Sequence, residues 1–194
     1  MVTQLIPMKG DELVKKILAG ERNFSRIKLE EGFNLSNHES FEELQKYLIN
    51  AGLYLNPIII DNSELRGVVA KTLYLPFFRG READLSGADL SEANLSGAYI
   101  WRANLSRAYL SEANLSGAYI WRANLSEAYL SEANLLRAYL SEANLSRADL
   151  KNVKNLAKTF NLEHAIFCYT IVTEREKKII EKALQKKQLF IVEK

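Results

Sequence analysis

The sequence predicts an all-β solenoid: a square coil of short parallel strands, four five-residue sides and 20 residues to a turn, with helices at its ends. Three observations predict it. Ala stands at every fifth position from Ala83 to Ala148, and Leu or Ile follows two residues later from Leu85 to Leu150, giving fourteen units. Longer blocks return after twenty residues: SEANLSGAYIWRANLSRAYL from 91 and SEANLSGAYIWRANLSEAYL from 111 differ only where Arg107 gives way to Glu127.

A step of five turns an α-helix by about 140°, so the leucines would scatter around it and form no apolar stripe. On an extended backbone, Ala and Leu two apart share one face. Five is odd, so the next pair would land on the other face unless the chain bends, and the bend falls at each Ser-Gly or Ser-Glu. Four such corners close a coil. Stacked coils then pair their backbones about 4.8 Å apart, residues twenty apart lie above one another, and the leucines line the tube.

The tandem A-[DN]-L-x-x units resemble the pentapeptide repeat proteins. The resemblance implies a right-handed quadrilateral parallel β-helix in which Leu is the central inward residue, Ala the small inward one, and the other three positions face out.

Taken in chain order, residues 1–21 hold DELVKKILAG (Asp11 to Gly20), a helix placed to cap the first coil. The β-helix is expected over 22–152, degenerate from 22 to 82 and regular from 83. Arg22/Phe24, Ile27/Leu29 and Phe33/Leu35 read as first-coil sides. A helix is inserted at about 40–51, where Ser40 and Glu43 have capping-box spacing, Phe41, Leu44 and Leu48 share a face and Gly52 stops it. Six degenerate inward pairs follow: Leu53/Leu55, Ile58/Ile60, Ser63/Leu65, Val68/Ala70, Leu73/Leu75 and Phe78/Gly80. Over 153–194 the register slips by about two in KNVKN, and Phe160/Leu162, Ala165/Phe167 and Thr170/Val172 form a last coil. Thr173 with Glu176 then opens a helix whose apolar face is Ile179, Ile180, Ala183 and Leu184. It caps the open edges of the tube or, as the resemblance implies, pairs with its copy in a homodimer.

Sorted by side, the outward residues form columns. Tyr99, Tyr119 and Tyr139 stack on one side, Tyr109 and Tyr129 on the opposite one, and Asn94/114/134 and Asn104/124/144 on the two between. Such ladders stabilise parallel pairing. The first Tyr side also carries Trp101 and Trp121, with Arg79 and Arg81 beneath. That panel is the candidate interaction surface, since exposed aromatic patches mark contact sites and Trp, Tyr and Arg carry interface energy. Cover by a terminal segment, or a ladder left by duplication, are the alternatives.

The remaining composition narrows the function. The chain has 194 residues, 47% apolar and 26% charged, with a net charge of +2. Ordinary globular composition and near-zero net charge favour neither a nucleic-acid binder nor an acidic decoy. The single Cys168, the start MVTQLIPMKGDELVKK and the absence of a run of about 20 apolar residues point to a soluble cytoplasmic protein. His38 and His164 are the only histidines, and no phosphate loop, carboxylate pair or nucleophile motif is present. No catalysis, cofactor, metal, small-molecule substrate or membrane contact is expected, and the lysines of the last helix are interspersed with Glu174, Glu176 and Glu181, against direct nucleic-acid binding. The expected function is a scaffold for a protein partner or for self-association. The alternative, implied by the family, is a DNA mimic that protects DNA gyrase or a related type II topoisomerase; against it, residues 81–150 hold nine acids and six arginines, a net of only −3.

Overall fold

A computed structural model describes residues 4–192, with side chains as far as residue 185. Its body is a β-helix. Tyr99 pairs in parallel with Tyr119, Asn104 with Asn124, Tyr109 with Tyr129 and Asn114 with Asn134, and this 20-residue register holds from Ile59↔Arg79 to Asn134↔Lys154. Each outward residue bonds to the coil before it: Asn124 N–H donates to Ala103 C=O at 2.9 Å, and Leu105 N–H donates to Asn124 C=O at 2.7 Å. The walls are named below by Tyr99, Asn104, Tyr109 and Asn114.

The corners are type II turns. At one, Ala108 N–H donates to Leu105 C=O at 3.1 Å and Arg107 has φ 60°. Every fifth residue from 62 to 152 has positive φ. Gly67, Gly87, Gly97 and Gly117 accept that conformation freely, whereas Glu and Arg hold it at a cost of roughly 1 kcal/mol each. The ladder and the core overcome that cost. From Ala88 to Leu150 no inward Ala, Leu or Ile is more than 5% exposed, so the columns form a dry filled interior.

The first coil has three walls of its own, Asn23, Lys28 and Asn34, paired with Ile59, Glu64 and Val69. The residues in between form the inserted helix in place of a fourth wall. Strand β1 (Ile6–Met8), which the sequence did not disclose, lies parallel to β2 (Ile27–Leu29) and extends the Asn104 wall by one strand. Ile6 N–H donates to Arg26 C=O at 2.8 Å and Met8 C=O accepts from Glu30 N–H at 3.2 Å, so Pro7 faces the free edge and has no N–H to leave unpaired.

Two helices cover this end: α1 (Gly10–Leu18) and α2 (Phe41–Asn50), burying Leu13, Val14, Ile17, Leu44 and Leu48. Gly10 is fixed by packing, because a Cβ there would lie 2.1 Å from the Phe33 ring. Arg22, at an inward position, donates from Nη1 to Ile17 C=O at 3.3 Å, capping the end of α1, and from Nη2 to the Tyr47 hydroxyl. Between lid and tube lies an apolar hollow of about 80 Å³ lined by Leu13, Ile17, Leu44, Leu48, Ile60 and Leu65 among others.

Three expectations change. The pair Leu53/Leu55 is not a wall: Leu55 is 87% exposed, because Gln45 of α2 accepts the Tyr74 N–H at 2.7 Å, the donor this segment would have paired with above it, and the walls resume at Ile58. Ser40 precedes α2 but its side chain makes no capping bond; its own N–H donates to His38 Nδ1 at 3.0 Å. Phe160 faces outward, since the slip comes in two single-residue steps, at Asn155 and Asn161, both with positive φ and each opening a 3-10 turn. Tyr139 therefore pairs with Phe160, and Asn144 with Ile166, while Leu156 and Leu162 turn inward.

Helix α3 (Glu174–Val192) opens as the spacing predicts: the Thr173 N–H donates to Glu176 Oε2 at 3.1 Å, and the Thr173 hydroxyl donates to the same oxygen. Ile180 is buried, Ile179 and Ala183 are partly buried against the core, and Leu184 lies at the margin, 38% exposed. Among the described residues, no helix is long and apolar enough to cross a membrane.

Candidate interaction surface

The 20-residue register turns single side chains into columns, and what each column does follows from its residue type. On the Asn104 wall, Asn104 Oδ1 accepts the Ser106 N–H two residues on at 3.2 Å, and Asn124 repeats this with Ser126 at 3.1 Å. Each amide thus organises its own corner as an Asx turn. The other end of the amide links coils: Asn124 Nδ2 donates to Asn104 Oδ1 at 3.3 Å, and Asn104 Nδ2 to Asp84 Oδ1 at 3.1 Å. Asp, an acceptor only, suits the foot of that ladder. The ladder was legible in the sequence, but the turn contact was not; its signal was the Asn or Asp itself, since the donor is a backbone N–H that Leu136 supplies to Asn134 as well as Ser does elsewhere.

Tyr has no such acceptor and stacks instead. Tyr99 and Tyr119 have ring centroids 4.7 Å apart at 8°, Tyr119 and Tyr139 4.7 Å at 4°, and Phe160 continues the pile over Tyr139. Burial between these neighbours, then the charges Tyr139 and Tyr99 would acquire, push the Tyr119 phenol above its ordinary value.

Trp101 and Trp121 occupy the corner that follows the Tyr99 wall and stack at 5.7 Å and 23°. Arg81 lies 5.2 Å and Arg102 5.9 Å from the Trp101 ring, and Arg122 lies 4.6 Å from that of Trp121. Carboxylates tie down three of the surrounding arginines: Arg79 pairs with Asp61 at 2.9 Å, Arg102 with Glu82 at 3.2 Å and Arg122 with Glu142 at 2.7 Å. The hydrogen bond from Arg122 holds the Glu142 carboxyl below its ordinary value. Tyr99, Tyr119 and Trp121 remain 43%, 38% and 36% exposed. The structure thus brings Tyr99, Trp101, Tyr119, Trp121, Tyr139, Arg79 and Arg81 onto one continuous surface. Many of their ring faces lie against one another, which makes the panel stiff.

Elsewhere the charges are exposed pairs worth little singly, such as Arg107 with Glu127 at 3.0 Å. His38 packs under the lid with Nε2 3.3 Å from Asp11, while Cys168 and His164 are exposed. Among the described residues, no three His, Cys, Asp or Glu side chains are grouped to hold a metal ion.

A family model described as pentapeptide repeats matches residues 88–120 and 122–154, in eight copies. No curated protein matches the chain. Among solved structures, the chain is similar to a pentapeptide repeat protein of the Arabidopsis thaliana thylakoid lumen, at 32% identity over 44% of this chain and with a TM-score of 0.33; it spans 57% of that relative's length. A pentapeptide repeat protein of Nostoc PCC 7120 is 25% identical, covering 88% of this chain and 100% of the other, with a TM-score of 0.42. QnrB1, a plasmid-mediated fluoroquinolone resistance protein, is 14% identical over 84% of this chain and 82% of its own, with a TM-score of 0.34.

Proposed function

Because the chain belongs to the pentapeptide repeat family, we propose that it is a non-catalytic right-handed quadrilateral β-helix whose task is to present a rigid surface to a protein partner or to a second copy of itself, in the cytoplasm. The observation that carries this reading is the Tyr/Trp panel: five aromatic side chains in two stacked columns, part-exposed and bounded by arginines. A rigid tube suits such a task, since side chains already ordered by their ladder lose little further freedom on binding.

The gyrase-protecting reading draws less support. It needs an unbroken acidic rod, and Asp84, Asp89, Glu82, Glu127 and Glu142 are each paired with Arg or Lys at 3.2 Å or less. Inhibition of gyrase supercoiling by the purified chain would restore it.

The test is a Trp101→Ser, Trp121→Ser double variant, compared with the wild type by solution mass, alone and in cell extract. The reading expects the wild type to run above the 22.1 kDa of one chain in at least one condition and the variant to return to it, with melting little changed. Identical masses in both conditions for both proteins would remove the panel from the account.

A further inference from the structure

At the foot of the panel, Asp61, Arg79, Arg81, Tyr99 and Trp101 line a surface hollow. Asp61 is buried there, accepting from Arg79 Nη2 and from the Arg81 backbone N–H, both at 2.9 Å. Arg81 differs from its neighbours. Arg79, Arg102 and Arg122 each have a carboxylate; among the described residues the Arg81 guanidinium has neither an ion pair nor a hydrogen bond, and its Nε is buried with no partner. The four arginines meet three carboxylates, leaving one positive charge at the hollow. A guanidinium held against an indole, its fork unsatisfied, is a preorganised receptor for a planar carboxylate.

We infer that this hollow binds a carboxylate flanked by an apolar group on a partner protein, the carboxylate bridging the Arg81 fork and the apolar group lying along Tyr99 and Trp101. A monoanion balances the single uncompensated charge; a phosphate dianion exceeds it and sits beside buried Asp61. The inference rests on the panel being an interaction surface and adds the chemistry of what it meets.

The chain's two tryptophans make the test specific, because Trp121→Phe leaves Trp101 as the only one. In that background the probes are N-acetyl-phenylalanine, its neutral amide and inorganic phosphate, read by Trp101 emission. The carboxylate is expected to give a saturable change in the millimolar range, Arg81→Gln to weaken it about tenfold, and Arg81→Lys, which keeps the charge and loses the fork, to fall between. An equal response to the amide, no effect of Arg81→Gln, or tighter binding of phosphate would each overturn the inference. Should Arg81→Gln fail to fold, the amide and phosphate comparisons still decide. Association lost on the double Trp variant but no carboxylate response would sink the hollow and leave the panel standing.

Discussion

The tube from Ala83 to Leu150 and the coil before it pair in the same 20-residue register but are built differently, while the first coil, interrupted by α2, joins them at offsets of 35 or 36 residues. In the first region every layer repeats Ala with Leu or Ile, the corners hold Ser-Gly, Ser-Glu, Ser-Arg, Leu-Arg or Trp-Arg, and the apolar hollow reaches only its first layer, at Leu85, Leu90 and Leu95. In the second, Phe78 occupies an Ala position and its ring takes the room beside Gly80, where a Cβ would lie 2.8 Å from it. Ser63 occupies another small inward position and an apolar hollow remains beneath the lid. The positive-φ corner nevertheless recurs at 62, 67, 72 and 77 as it does at 82 and beyond. The corner, more than the identity of the lining, sets the register; the lining sets how well the interior fills.

The largest test removes a core leucine from each region. Leu115→Ala, in the filled interior, should cost about 3 kcal/mol, and Leu65→Ala, which only enlarges the hollow, about 1 kcal/mol less by denaturant unfolding. Equal losses would mean that the two interiors pack alike.

Ser63 sharpens the contrast at a corner. In the regular tube the Ala N–H reaches the Leu C=O directly; in the first coil the Ser63 hydroxyl stands between the same two groups, donating to Phe24 C=O at 2.9 Å and accepting from Ile27 N–H at 3.1 Å. Ser63→Ala restores the residue type of the regular repeat yet should destabilise by about 2 kcal/mol, since two buried backbone groups lose their partner. A neutral result would show that the first coil tightens into an ordinary corner.

Gly117→Ala isolates the corner itself. Nothing lies within 4 Å of an added Cβ and φ is 66°, so the expected loss of about 1 kcal/mol is purely conformational. No loss would mean the left-handed corner carries no strain.

The smallest effect is on pH. Only the regular region stacks tyrosines, and the Tyr119 phenol is raised in the folded state. Its contribution is full below the unfolded value of about 10 and is lost as pH rises through the higher folded value. Thermal midpoints should therefore fall above that pH, and less so in Tyr119→Phe; identical profiles would show that the stack does not disfavour ionisation.

The repetitive part of this fold was open to reading because five-residue periodicity and twenty-residue copies allow one geometry. The helix proposed at about 40–51 is found at Phe41–Asn50, and the capping pair Thr173/Glu176 opens α3. Features that depend on a neighbouring coil were closed to it. Leu55 has the right phase but Gln45 of α2 takes the Tyr74 N–H above it, Phe160 moves outward because Asn155 and Asn161 each absorb one residue, and β1 is three residues long with a proline at its centre. For the panel, the columns were legible from spacing. The unpaired state of Arg81 was not, because it depends on where Asp61, Glu82 and Glu142 direct their oxygens.

The most direct measurement of the square register uses pyrene pairs in a Cys168→Ser background. Ser106→Cys with Ser126→Cys places two labels on one corner column, and Ser106→Cys with Ser116→Cys places them on opposite corners of the square. In the square register the first pair gives strong excimer emission and the second gives none. Excimer from the second pair, or equal emission from both, would contradict it.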